Sequence, residues 1–342
     1  MIIGVCGYGN TGSGAVIDLL KEYECNQIID NFEFKYTYMV DGLEDLKYHL
    51  TENCIRNSSG DMAIKRFIDT MNFMNVPFMN RVINKKELKI ITNNFLDQIV
   101  QTSWKGMESR DYEQGNLIKA FFYLAMKKKI MPILYENIFK KSWNIFPSRK
   151  IYCSIMPKDF MNNSKEFIRK ILLAKGFDIN KTIIINQAFE GNDPTNSFPF
   201  YDNPKAIVLD RDPRDIYISN KLCKTGEGRW CPRDDVDSFI IFYKNIHHNT
   251  HVKENNVLRI SFEDLIYNYK ETADDIEKFT GLHNHISEKK YFDPQKSLVN
   301  TQIYKRFPKY DNDIKKIEEE LKDYLYPFEK YGKIDIKNKS FF

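Results

Sequence analysis

Five short apolar runs punctuate the chain, at 2–6, 27–34, 182–186, 206–210 and 257–261. The last three are rich in Ile, Val or Leu and end in polar residues. Runs of this length and texture predict strands buried on both faces, as in a parallel sheet. Helical patterns lie between them. Residues 11–23 place Val16, Leu19, Leu20 and Tyr23 on one stripe, and 215–222 and 264–280 also read as helices. Strand–helix alternation of this kind predicts an α/β fold, a five-stranded parallel sheet covered on both faces.

The stretch 36–181 has a different texture. Phe67, Thr70, Met71 and Met74 recur at helical spacing, as do Phe95, Ile99 and Thr102, and 117–139 continues the pattern. It predicts a large helical insertion that packs on the sheet and can wall a cleft. With no internal repeat or low-complexity linker in the chain, the expected organisation is one domain over 1–342.

Composition narrows this picture only slightly. The 342 residues are 42% hydrophobic and 29% charged, enough for a large core and too apolar for a disordered chain. A net charge of +4 spread over this length does not point to a nucleic acid or a membrane, although it suits local binding of a small polyanion. The opening Met1-Ile2-Ile3-Gly4-Val5-Cys6 has no basic export-signal region. The apolar stretch 120–126 is far too short to cross a bilayer and runs into Lys127-Lys128-Lys129. The expectation is a cytoplasmic protein with no membrane span. Six cysteines without a CxxC pair argue against a zinc site, and Cys223 and Cys231 are expected as reduced thiols.

The first run leads into Gly7-Tyr8-Gly9-Asn10-Thr11-Gly12-Ser13-Gly14-Ala15. A strand, a Gly-rich turn and a helix form the arrangement that cradles phosphate, because glycine permits positive φ and the helix start presents free N–H groups. Thr11 and Ser13 add hydroxyls. The pattern GxxxxGK[ST] would need Lys at position 13 and Ser or Thr at 14, where this chain has Ser13 and Gly14. A nucleotide kinase therefore lacks its main cation here. Gly7, Gly9 and Gly12 do match the glycine spacing of dinucleotide folds, with Asp30 or Glu33 as the acidic residue such a fold wants about 20 residues on. On the loop alone, a dehydrogenase remains a competitor.

The run Lys205-Ala-Ile-Val-Leu-Asp-Arg-Asp-Pro-Arg-Asp-Ile-Tyr-Ile-Ser219 is more specific. A strand ends at Asp210, Arg211 follows, Asp212 reads as an N-cap and Pro213 as the first helical position. An Arg at a strand end offers a planar fork for phosphate. In this context Arg211 and Ser219 resemble the 3′-phosphate motif of the sulfotransferases that use 3′-phosphoadenosine-5′-phosphosulfate (PAPS). Asn10-Thr11-Gly12-Ser13-Gly14 is similar to that family's 5′-phosphosulfate loop. The segment Leu258-Arg-Ile-Ser-Phe-Glu-Asp-Leu265 resembles the segment that follows. Ser297-Leu-Val-Asn300-Thr-Gln-Ile-Tyr304-Lys305 resembles the C-terminal loop that closes on the nucleotide.

The resemblance implies a P-loop-type three-layer α/β sandwich and a transferase that moves the sulfuryl group of PAPS to a hydroxyl, with no metal. Gly9, Asn10, Thr11, Gly12, Ser13, Gly14, Arg211, Ser219, Tyr304 and Lys305 would hold the donor. The implied partner is a hydroxyl-bearing small molecule or a glycan precursor, not a nucleic acid, and a homodimer is left open. The family commonly has Lys or Arg in the first loop where this chain has Asn10, so a cation must arrive from elsewhere. Lys35 and Lys305 are the candidates. Glu33, in Asn31-Phe32-Glu33-Phe34-Lys35, matches the place where carbohydrate sulfotransferases carry a glutamate base. Flanking Phe32 and Phe34 would anchor the strand, and partial burial would raise the Glu33 pKa toward a useful value. Asn186, Gln187 and Glu190 are placed for acceptor contacts, and Trp230 and Tyr304 for stacking. His247 and His251 have the spacing of a helical metal pair, but the sequence suggests no third ligand. A protein that keeps the fold and binds a nucleotide without catalysis is the main alternative.

Overall fold

A computed structural model of the chain describes residues 1–24, 27–30, 32–74, 83–108, 117–134, 149–224, 227–248, 254–286 and 288–331. Its centre is a parallel sheet of β1 (Ile2–Gly7), β2 (Ile28–Ile29), β5 (Ile183–Asn186), β6 (Pro204–Asp210) and β7 (Val257–Ser261), in the order β2-β5-β1-β6-β7. Each strand alternates between two cores, as the period of two requires. Ile2, Cys6, Ile183, Ile185, Ala206 and Val208 face one core, and Ile3, Val5, Ile184, Ile207 and Leu209 the other.

Helices cover both faces. The second core is closed by α1 (Ser13–Leu20), through Val16, Ile17, Leu19 and Leu20, and by α7 (Tyr269–Thr280), through Ala273 and Ile276. The first is closed by α2 (Asn57–Phe73), α3 (Lys85–Ile99) and α4 (Phe160–Ala174), whose Phe67, Phe95 and Phe167 meet ring against ring. A third cluster joins α5 (Pro213–Leu222), α6 (Val236–Ile246) and α8 (Asp311–Glu320) through Tyr217, Phe239, Ile314 and Phe328. At roughly 1.5–3 kcal/mol for each fully buried large apolar side chain, these three clusters are the main stabilising contribution.

The strand order places the site. From β1 the chain runs outward to β2 on one side, and from β6 it runs outward to β7 on the other. A crevice therefore opens above the carboxyl ends of β1 and β6, at the switch point where α/β sheets bind ligands. The order also removes the dehydrogenase reading. Dinucleotide folds put the second strand beside the first, whereas here β5 lies between β1 and β2.

Three expectations need correction. The run 27–34 is a strand only at Ile28–Ile29; beyond it Phe32 and Phe34 are both buried in the first core, and the chain is held by the Phe34 N–H donating to the Asn186 carbonyl at 3.0 Å. The insertion is not wholly helical: β3 (Thr102–Gly106) and β4 (Arg149–Cys153) form an antiparallel pair, so Thr102 opens a strand instead of continuing α3. Four of the five β3 residues are exposed, so no apolar alternation marked this strand. The helix expected over 264–280 breaks at Asn268 into Asp264–Tyr267 and α7. The helix Leu117–Ala125 does form, while residues 135–139 of the expected pattern lie outside the described residues. Among the described residues, no helix is long and apolar enough to cross a membrane.

Candidate functional site

The loop between β1 and α1 turns on three left-handed residues, Gly9 (φ 87°), Asn10 (φ 52°) and Gly12 (φ 90°). A Cβ on Gly9 would stand 2.9 Å from the Trp230 ring, and one on Gly12 would stand 2.8 Å from Phe262. Both glycines are thus required twice, for φ and for space. Asparagine is among the residues that best tolerate the left-handed conformation at position 10. Its amide donates to Asn220 Oδ1 at 2.5 Å, and Trp230 Nε1 donates to the same oxygen at 3.1 Å. Asn220 therefore pins the loop and the Trp230 ring to α5. The N–H groups of Thr11, Gly12, Ser13 and Gly14 have no acceptor among the described residues, whereas the Ala15 N–H donates to the Gly12 carbonyl at 2.8 Å. Converging free donors at a helix start form an anion nest.

Arg211 stands opposite. Its backbone N–H donates to Asp210 Oδ1, and Asp212 caps α5 by accepting from the Arg214 N–H at 2.9 Å, with Pro213 at the first helical position. The Arg211 guanidinium is buried, lies 5.2 Å over the Phe262 ring, and donates to the carbonyls of Asn10 at 3.1 Å and Asn300 at 2.6 Å. It so ties the first loop to the turn at 298–300. Arg211 Nε and the buried Ser219 Oγ have no hydrogen-bond partner among the described residues. Buried orphan atoms of this kind call for a ligand or a water, and Arg211 lines the same cavity as the anion nest.

Three buried carboxylates underlie Arg211. Asp215 is pushed up to about 7, by burial first and by Asp212, against the pull of Arg211; burial, then Asp212 and Asp215, raises Glu263 well above the ordinary carboxylate range. Asp212 instead takes the Arg214 guanidinium in a fork at 2.9 and 2.7 Å. The second Arg of the Arg-Asp-Pro-Arg run is thus part of the framework, buried over the Tyr304 ring and facing away from the crevice.

Two cavities meet at the loop. One, of about 540 Å³, is lined by Gly9 to Ala15, Arg211, Phe262 and the segment carrying Lys290, Lys296 and Asn300. Its neighbour, of about 610 Å³, is lined by Glu33, Lys35, Tyr38, Glu44, Glu190, Asp193 and Trp230 among others. Gly9, Glu33 and Gln187 belong to the walls of both. Gln187 spans the junction, its amide donating to Ser13 Oγ at 3.1 Å. Glu33 is ion-paired with Lys35, and both side chains are close to half exposed, so the burial expected around Glu33 is absent. Two other carboxyls lining the same cavity are raised. Desolvation lifts Glu190, with Lys35 lowering it and Glu33 raising it further; desolvation also lifts Glu44, against a hydrogen bond donated by Ser197.

Several expected site residues lie elsewhere. Tyr304 and Lys305 line a separate cleft of about 490 Å³ beside Asp311 and Glu318, and the Lys305 ammonium donates to Gln302 Oε1. Ser219 is buried within α5 and does not line the cavity that holds the Gly-rich loop and Arg211. His247 is a core residue, stacked between Tyr8 and Tyr243 at 3.8 and 3.9 Å, while His251 lies outside the described residues. Among the described residues there is no cluster able to hold a metal ion. Lys290, Lys296, Glu44 and Asn220 were not singled out from the sequence, and no spacing marks them. They come from three separate segments, at 44, 220 and 290–296, that only the fold brings to the loop and its cavities. No family model matches the chain, and no curated protein matches it.

Proposed function

We propose that this protein is a PAPS-dependent sulfotransferase with a P-loop-type fold, acting on the hydroxyl of a carbohydrate or glycan precursor. The observation that carries this reading is the meeting of the two cavities at Gly9, Glu33 and Gln187. In-line transfer needs a donor site and an acceptor site that share a wall at the reacting atoms, with a proton acceptor at the junction. The free N–H groups of residues 11–14 would take the 5′-phosphosulfate, and Arg211 the 3′-phosphate. Glu33 would accept the hydroxyl proton, with Lys35, its ion partner on the acceptor side, holding its carboxylate in place.

The acceptor-side lining supports a polyol over an anionic acceptor. Glu33, Glu44, Glu190 and Asp193 face a single lysine there, Lys35, and Trp230 presents a partly exposed ring of the kind that packs on sugar faces. The test is a transfer assay with PAPS and a panel of neutral, amino and acidic sugars, reading sulfated product by mass. Product on neutral or amino sugars supports the reading, and no product with any hydroxyl acceptor contradicts it.

One observation favours a second reading, a nucleotide-binding protein that does not transfer. The Asn10 amide is taken by Asn220 and Lys35 is taken by Glu33, which leaves the loop without an uncommitted cation of its own. Binding of adenosine 3′,5′-bisphosphate without sulfated product in the same assay would select it.

A further inference from the structure

Glu22, just past the end of α1, is fully buried. A buried carboxylate is costly unless its oxygens are filled with donors. Here four donors fill them, all from one distant segment. Oε1 accepts from the N–H groups of Tyr291 and Phe292 at 2.8 and 2.9 Å. Oε2 accepts from His285 Nε2 at 2.7 Å and the Lys289 N–H at 2.9 Å. The Glu22 carbonyl accepts from the Ile286 N–H at 3.0 Å, and the His285 ring stacks on Tyr23 at 4.6 Å.

This segment runs directly into one wall of the donor-side cavity, through Lys290, Tyr291, Phe292, Asp293, Lys296 and Ser297. Lys290 and Lys296 are the cations on that wall, lining the same cavity as Arg211 and the nest. The cavity's own carboxylates are already matched: Asp18 to Lys21 at 2.8 Å, Glu33 to Lys35, and Asp293 to the Gln295 N–H at 2.9 Å and, more loosely, to the exposed Lys296 ammonium at 3.8 Å, a pairing that a bound phosphate would have to displace. The helix that begins at the phosphate loop therefore ends on the carboxylate that fixes the opposite cationic wall.

We infer that Lys290 and Lys296 supply the charge that the first loop lacks at Asn10, and that Glu22 is the positioning residue that holds them over the bound phosphates. The inference rests on the donor-site reading above. It differs from the expectation for Lys35 and Lys305, since Lys305 lies in another cleft and Lys35 on the acceptor side.

The test is calorimetric titration of the full chain with pyrophosphate and with adenosine 3′,5′-bisphosphate. Glu22→Gln keeps one oxygen but turns an N–H₂ group toward the Lys289 N–H, where only an acceptor fits. It should weaken both ligands at least 10-fold, and Glu22→Asp should recover part of the loss. The surface variant Lys290→Ala/Lys296→Ala should weaken both about 10-fold without lowering the melting temperature. A Glu22→Gln protein that melts earlier but binds with unchanged affinity would overturn the positioning role. Unchanged affinity in the double-lysine variant would overturn the cationic wall, and this variant decides the matter if Glu22→Gln does not fold. Binding by the wild type that survives every variant removes this inference alone, whereas no binding by the wild type removes it together with the donor-site reading.

Discussion

The two cavities share a wall but are built in opposite ways. The anion-binding part of the donor-side cavity, its glycines, free N–H groups and one buried guanidinium, comes from two strand–loop–helix units, each contiguous in the chain, while its cationic wall at 290–300 is brought in from a distant segment. The acceptor-side cavity is built from five separate segments, at 7–9, 33–44, 187–196, Trp230 and 242–246, with carboxylates dominating its charged groups. The comparison teaches that a phosphate site can be specified by local geometry, whereas a site for an unlike partner is assembled from distance. Variants at the two cavities should therefore fail differently.

The largest separation is expected at the shared wall. Glu33→Gln should lower sulfuryl transfer by about 10²–10⁴-fold while leaving bisphosphate affinity within about twofold, because general-base catalysis contributes on that scale and Gln keeps the shape. Turnover within a few-fold of wild type would take Glu33 out of the mechanism. Next comes the loop. Gly12→Ala adds a Cβ 2.8 Å from Phe262 at φ 90°, and should cost about 2–4 kcal/mol of stability and most of the nucleotide affinity. A Gly12→Ala protein that melts with the wild type would show that the loop is not held as described.

A comparable effect is expected under Arg211. The folded Asp215 carboxyl keeps its proton up to about pH 7, against 3.8 for the ordinary group. A raised carboxyl contributes stability that is fully present below the unfolded value and is lost as pH rises through the folded one. Wild-type stability should therefore decline between about pH 4 and 7 through this group. Asp215→Asn, which retains an oxygen for the Tyr304 N–H, should flatten that decline by on the order of 4 kcal/mol in urea melts at pH 4 and pH 8. An unchanged pH profile would contradict the buried, raised carboxyl. The smallest effect belongs to Gly14→Ala. A Cβ there meets nothing within 4 Å, so stability should move by less than about 0.5 kcal/mol, in contrast to its neighbour Gly12.

The same contrast explains what could be read in advance. The five sheet strands lay in short apolar runs, most plainly Ile183–Asn186 and Pro204–Asp210, because strands buried on both faces carry few polar positions to disguise them. Asp212 and Pro213 announced the start of α5 because N-cap chemistry is local. β3 was hidden because its side chains are exposed, and the 27–34 run was overextended because Phe32 and Phe34 enter the core without strand pairing. Glu22, Lys290 and Lys296 were illegible for a different reason. Their relation is a contact across more than 260 residues, and neither an isolated Glu nor an isolated Lys carries a spacing signal. Tyr304 and Lys305 were misplaced because the Arg211 hydrogen bond fixes the chain at Asn300, after which it turns away to pack on α5 and α8.

The central claim is that the nest at residues 11–14 and Arg211 form one site for a nucleotide bearing both 5′- and 3′-phosphates. The most direct measurement is a calorimetric titration with adenosine 3′,5′-bisphosphate, set beside ATP–magnesium and NAD, for wild type and Arg211→Ala. The account predicts binding of the bisphosphate alone, weakened about 100-fold in Arg211→Ala, as loss of a charge-assisted contact worth about 3 kcal/mol requires. Preferential binding of ATP–magnesium or NAD, or bisphosphate binding indifferent to Arg211, would contradict it.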